Sequence, residues 1–167
     1  VLLICISCHM GWAAQDFVWK SGQNMKVVCD TTEAPVVKVA LDLLKRDCRS
    51  VLSGNISRSE NTGNIYVGTW GESSVLQALA ETRQLDVALL NEHKEAFLLN
   101  VLPDGRLIVA GSDKRGTAYG VLELSRMMGV SPWEWWADAV PEKKEELRLP
   151  AGFRKLDYPQ VAYRGIF

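Results

Sequence analysis

Histidine is almost absent from this chain. His9 and His93 are the only two, and neither lies near a serine or cysteine in a pattern that makes a nucleophile–base pair. Cysteine is nearly as scarce. Of four, Cys5 and Cys8 fall in the first ten residues, which leaves Cys29 and Cys48. Two cysteines make no disulfide framework, and without CxxC spacing or a neighbouring histidine they mark no metal site. Cys29 lies in an apolar strand pattern and Cys48 near a helix end, so two buried thiols are expected. Charge of one sign is also missing. The formal net charge is −1, which argues against nucleic acid as the main partner. There is no internal repeat and no low-complexity stretch. No GxGxxG fingerprint occurs, so no dinucleotide cofactor is expected, nor any other cofactor or metal.

What is present is an ordinary globular composition, 47% apolar over 167 residues, enough for one domain. The first residues stand apart. Val1-Leu2-Leu3-Ile4-Cys5-Ile6-Ser7-Cys8, followed by small residues near Gly11 to Ala14, resembles the apolar core and cleavage zone of a secretory signal peptide. The run is too short to span a bilayer. Residues 1–15 are therefore read as a signal-peptide remnant, and the chain as exported to the periplasm, the cell surface or the medium.

The remainder alternates strand and helix signals. Met25 to Cys29 reads as a strand. Pro35 opens a helix whose apolar positions Val36, Val37, Val39, Ala40, Leu43 and Leu44 follow helical spacing to near Arg49. Ser53 to Asn64 is polar and reads as a loop. Asn64 to Gly68 is a second strand, and Ser74 to Thr82 a second helix. Glu95 to Val101 and Arg106 to Ala110 flank the turn Pro103-Asp104-Gly105, which predicts a hairpin. A long helix from Lys114 to Met128 ends at Gly129. Leu147 to Leu149 reads as a short strand, Ala151 to Pro159 as a linker, and Val161 to Phe167 as a new strand. Helix-separated strands imply an α/β fold: a mixed sheet with helices packed on it.

The segment Gly111-Ser112-Asp113-Lys114-Arg115-Gly116-Thr117 carries the most information. Two cations at a helix start oppose the partial positive charge of that end, so they need a purpose. The segment resembles the opening of a phosphate-binding loop, but Thr117 rather than lysine follows Gly116, which argues against a nucleotide triphosphatase. Two readings remain. The helix N-terminus with Lys114 or Arg115 holds an anion, or Ser112 or Asp113 caps the helix and the cations pair with carboxylates. Past the helix, Trp133, Trp135 and Trp136 supply half of the six tryptophans. They either stack on a sugar face or bury against the sheet or another domain. As an extended segment, Trp133 and Trp135 would point to one side.

Ala110 to Tyr119, Gly129-Val130-Ser131-Pro132-Trp133, Trp135-Trp136-Ala137-Asp138 and Tyr163-Arg164-Gly165-Ile166-Phe167 resemble the N-terminal part of family 115 glycoside hydrolases, the xylan α-glucuronidases. The resemblance runs from about Val27 to Phe167. It implies a secreted multidomain enzyme. Its first domain, here residues 16–157, is an α/β module like the N-terminal domain of hexosaminidases. A (β/α)8 barrel follows, and residues 158–167 resemble its start. It also implies inverting hydrolysis of (4-O-methyl)glucuronic acid side chains from glucuronoxylan, with an acid and a base separated by room for a water. Those groups would lie in the barrel, so no catalytic residue is assigned to this chain. The candidate substrate-binding or domain-interface residues are Ser112, Asp113, Lys114, Arg115, Thr117, Trp133, Trp135 and Trp136. The rival expectation is a free-standing carbohydrate-binding module for acidic sugars.

Overall fold

The computed structural model describes residues 13–82 and 84–161. Most of the signal-peptide reading (residues 1–15) and of the barrel-start reading (residues 158–167) lies outside them.

Eight strands are described: β1 (Phe17–Lys20), β2 (Asn24–Cys29), β3 (Asn55–Ser59), β4 (Ile65–Thr69), β5 (Phe97–Val101), β6 (Leu107–Gly111), β7 (Glu146–Leu149) and β8 (Arg154–Asp157). Four helices accompany them: α1 (Pro35–Leu52), α2 (Ser74–Glu81), α3 (Lys114–Met128) and the single turn α4 (Glu134–Ala137). Six strands form one mixed sheet in the order β3-β2-β4-β6-β5-β8. β3, β2, β4 and β6 run parallel, while β5 runs antiparallel to both β6 and β8. β1 and β7 form a separate antiparallel ribbon.

The central strands are buried on both faces, so they read as continuous apolar runs. On one face Val27, Ile65, Val67, Leu107 and Val109 meet Leu44, Cys48, Val121, Leu124 and Met128 of α1 and α3. On the other, Val28, Tyr66, Ile108 and Ala110 meet Leu76 and Leu79 of α2. The alternation along β4 and β6 assigns each residue to one layer. Cys29 and Cys48 are both buried free thiols, as expected.

α3 matches its expected bounds, and Gly129 ends it in a left-handed conformation, φ 101°. The loop reading of Ser53 to Asn64 is corrected: β3 lies within it, parallel to β2. The linker reading of Ala151 to Pro159 is corrected too, because β8 pairs with β5 there. Both are edge strands with largely polar side chains, which hides them from an apolar-run criterion. β1 carries no recognised signal, yet its Trp19 is fully buried.

Candidate functional site

The parallel strands end near Cys29, Thr69 and Gly111, and α1 and α2 leave this edge for opposite faces of the sheet. In open α/β sheets that edge, where the winding reverses, is the usual ligand crevice. Here it is filled from within. Glu33, just past β2, is buried. Its carboxylate accepts hydrogen bonds from the Thr69 backbone N–H and from Thr69 Oγ1, each at 3.2 Å. Thr69 Oγ1 lies 2.8 Å from Thr117 Oγ1. Thr117 Oγ1 in turn lies within donating distance of the Asp113 carbonyl, at 3.0 Å. Burial raises the pKa of Glu33, outweighing the two bonds from Thr69, and the nearby Glu72 and Asp30 carboxylates push the same way.

The cationic turn is built around Asp113. Its Oδ1 accepts the backbone N–H groups of Arg115 and Gly116, both at 2.9 Å, and Oδ2 accepts that of Glu95 at 2.8 Å. A carboxylate therefore already occupies the helix N-terminus, where an external anion would bind. Ser112 Oγ accepts the Ala96 N–H at 3.0 Å. Arg115 Nη1 donates to Glu95 Oε1 at 2.9 Å. Glu95 is held in a left-handed backbone conformation, φ 56°, between these two partners. Capping and ion pairing, the second of the two sequence readings, is thus the geometry at Asp113 and Arg115. The close approach also explains two glycines. A Cβ on Gly111 would strike the Thr117 backbone N, and one on Gly116 would strike the Ala96 carbonyl oxygen. Lys114 is exposed.

The tryptophans are not an extended stripe. Trp133 and Trp136 flank and occupy the short helix α4, which corrects the alternation expected of them. Burial within this domain is corrected as well, because Trp133 is 64% exposed and Trp136 85%. Trp135 lies in the same helical turn. The Ser112–Thr117 turn and the tryptophans are therefore separate features at opposite ends of α3, not one pocket.

A surface groove lies along α3. It has a volume of about 410 Å³ and runs between α1 and α3, with the Val130–Glu134 segment as one rim. Leu43, Phe97, Tyr119, Leu122 and Pro132 provide its apolar lining. Charges pair along its edges. Arg46 Nη2 reaches Asp47 at 2.6 Å and Glu134 at 3.1 Å, which ties α4 to α1. Glu123 accepts from Lys155 Nζ at 2.6 Å and from Arg126. Burial opposes the charge on Glu123, but these two donors prevail and hold its carboxyl below the ordinary range. Sequence reasoning missed this groove, since its lining residues come from four separate segments. The signal that points to it is the exposed pair Tyr119 and Leu122 at helical spacing.

Among the described residues no group of histidine, cysteine and carboxylate side chains is arranged to hold a metal ion. No described helix is long and apolar enough to cross a membrane.

The fold recurs in glycoside hydrolases. A Streptomyces plicatus β-hexosaminidase superposes with a TM-score of 0.54 at 17% identity, covering 90% of this chain and 25% of its own. A Vibrio harveyi exo-β-N-acetylglucosaminidase superposes with a TM-score of 0.52 at 14% identity, covering 89% of this chain and 18% of its own. These fix the class: an α/β domain of the type found in hexosaminidases. A far nearer likeness is a family 115 4-O-methyl-α-glucuronidase with specificity for decorated arabinogalactans. It is 54% identical over 88% of this chain, with a TM-score of 0.81. The chain belongs to glycoside hydrolase family 115. It spans about a fifth (19%) of that relative's length. No protein-family model matches the chain, and none of the curated proteins matches it.

Proposed function

We propose that this chain is the α/β accessory domain of an exported family 115 glycoside hydrolase. That enzyme removes 4-O-methylglucuronic acid or glucuronic acid side chains from glucuronoxylan or its oligosaccharides. The observation that carries this reading is the 54% identity to a 4-O-methyl-α-glucuronidase over 88% of the chain. In this reading the acid and the base belong to a barrel domain outside these residues, and the leader at residues 1–15 directs export. The domain's own part is structural: a rigid sheet with a filled switch-point crevice and an exposed apolar helix face.

The relative's preference for decorated arabinogalactans favours a second substrate reading, in which the same uronic acid is cleaved from a galactan backbone. One experiment separates the readings. Release of 4-O-methylglucuronic acid is measured from glucuronoxylan and from decorated arabinogalactan, with the full-length enzyme and with the 167-residue chain. Release by the full-length enzyme alone is expected, and the preferred polymer assigns the backbone. Release by the short chain would refute the accessory role. Calorimetric binding of glucuronic acid or decorated xylooligosaccharides to the short chain would favour a free-standing binding module instead.

A further inference from the structure

We propose that Glu33, Thr69 and Thr117 form a clasp between the sheet edge and α3 whose hydrogen bonds reverse direction when Glu33 takes up a proton. Three links join these groups in series. Glu33 Oε2 lies 3.2 Å from Thr69 Oγ1, and Thr69 Oγ1 lies 2.8 Å from Thr117 Oγ1. Thr117 Oγ1 lies 3.0 Å from the Asp113 carbonyl oxygen and 3.3 Å from that of Gly68. Each link needs one proton between its oxygens. The two hydroxyls supply one proton each, and the carbonyls supply none. Solvent has little access, because Glu33 is 3% exposed, Thr69 2% and Thr117 0%. With Glu33 ionised, one link therefore lies empty. The carboxylate is the strongest acceptor, so Thr69 donates to it and Thr117 donates to Thr69. The carbonyls of Gly68 and Asp113 then lose the Thr117 hydroxyl.

Protonation of Glu33 supplies the missing proton. Its O–H donates to Thr69, Thr69 donates to Thr117, and Thr117 donates to the carbonyl of Asp113 or Gly68. Every link is then filled, and bonds that run in one direction reinforce one another. Glu33 Oε1 accepts the Thr69 backbone N–H in either state, so the carboxyl group stays in place while the protons move. Asp113 is the N-cap of α3, and Gly68 belongs to β4. The first turn of α3 thus registers the charge on Glu33. The charged and titratable neighbours are accounted for. Asp30 on the same segment and Glu72 after β4 favour the protonated form, as burial does. Cys29 at the end of β2 is itself held as a thiol, first by burial and then by Glu33. Lys38 of α1 donates to the Thr31 carbonyl at 2.9 Å. The Asp113 carboxylate is occupied by the N–H groups of Glu95, Arg115 and Gly116.

NMR titration of the side-chain carboxyl carbons tests this in the parent, Thr117→Val and Thr117→Ser chains. Without the Thr117 hydroxyl, Thr69 and an ionised Glu33 make a complete pair, so the protonated form loses its advantage. The Glu33 midpoint is expected to move to lower pH in Thr117→Val and to stay near the parent value in Thr117→Ser. The backbone carbonyl carbons of Gly68 and Asp113 supply a second readout that needs no change at Thr117. At least one of them should show a step at the Glu33 midpoint in the parent. Glu33→Gln, whose amide N–H donates to Thr69 at every pH, should abolish that step and leave any step due to the Asp113 carboxylate. An unchanged or raised Glu33 midpoint in a folded Thr117→Val chain would overturn the clasp. Equal lowering in the serine and valine variants would overturn it in favour of packing. If the valine variant does not fold, the parent and Glu33→Gln carbonyl titrations decide, and a parent without the step would overturn the clasp.

Discussion

Thr69 and Thr117 place their hydroxyl oxygens 2.8 Å apart across 48 residues of sequence. One ends β4 and the other lies in the first turn of α3. Their contact joins the sheet edge to the helix, and Glu33 extends it to the segment that follows β2.

Thr117→Val keeps the shape of the side chain and removes the shared oxygen. Thr69 Oγ1 keeps its Glu33 partner but loses the other, so the expected loss is about 1–3 kcal/mol, the range for a broken buried hydrogen bond. Thr117→Ser should retain most of the stability. Urea unfolding of the three proteins checks the order. A valine variant as stable as the parent would show that the bridge contributes nothing.

Glu33 gives stability a pH dependence of defined sign. Its pKa is raised in the folded state, chiefly by burial, so between the unfolded and folded values the folded chain binds more protons than the unfolded chain. The stabilisation from that protonated form is full below the ordinary glutamate pKa and is lost as pH rises through the folded value. Glu33→Gln removes this titration while keeping an acceptor for Thr69. The unfolding free energy of the variant minus that of the parent should therefore rise with pH above the ordinary glutamate pKa and then level off. A difference that falls with rising pH would contradict the raised pKa.

Asp113 fills both of its carboxylate oxygens with backbone N–H groups. Asp113→Ala should cost about 1–2 kcal/mol, as for a lost helix cap, while Asp113→Asn should cost less because asparagine also caps. Thermal unfolding ranks the two. The opposite order would mean that charge, not capping, dominates at this helix end.

Gly116→Ala tests the close packing of α3 on Ala96, the residue before β5. Within most helices this change is stabilising by about 0.5–1 kcal/mol. Here the added Cβ meets the Ala96 carbonyl, a backbone group that cannot rotate away. A loss of about 1–3 kcal/mol or more is expected. A gain in Tm would show that the helix shifts without strain.

Cys29 and Cys48 are both pushed up to about 11 by burial. At pH 7.5 neither should be alkylated in the folded chain, and both should react at once in urea. Peptide mapping by mass spectrometry separates them from Cys5 and Cys8. Rapid labelling of either in the native chain would place its thiol at the surface.

The sequence made α1, α3, β4 and the β5–β6 hairpin legible, because each has an unambiguous apolar period and a glycine or proline at its boundary. β3 and β8 stayed hidden for a common reason. An edge strand is held by its backbone ladder, and Asn55-Ile56-Ser57-Arg58-Ser59 and Arg154-Lys155-Leu156-Asp157 carry little apolar signal. The turn around Asp113 was half legible. Its capping chemistry follows from local spacing, whereas its partners Glu95 and Ala96 come from the strand side of a hairpin whose geometry had to be seen. The groove was not legible at all. It is a property of how α1 and α3 cross.

The pairing of β1 with β7 has a bearing on synthesis. Phe17 lies opposite Leu149, and the Asp16 carboxylate holds both Arg148 and the Ala151 N–H. β5 likewise waits for β8. As the chain leaves the ribosome, β1 stays without β7 until more than a hundred residues later have emerged, so the parallel centre of the sheet can form before the ribbon closes and before β8 joins β5. Nascent chains halted before β7 should therefore expose Phe17 and Trp19 to chaperones, and release of those two side chains would time the closing of the β1–β7 ribbon.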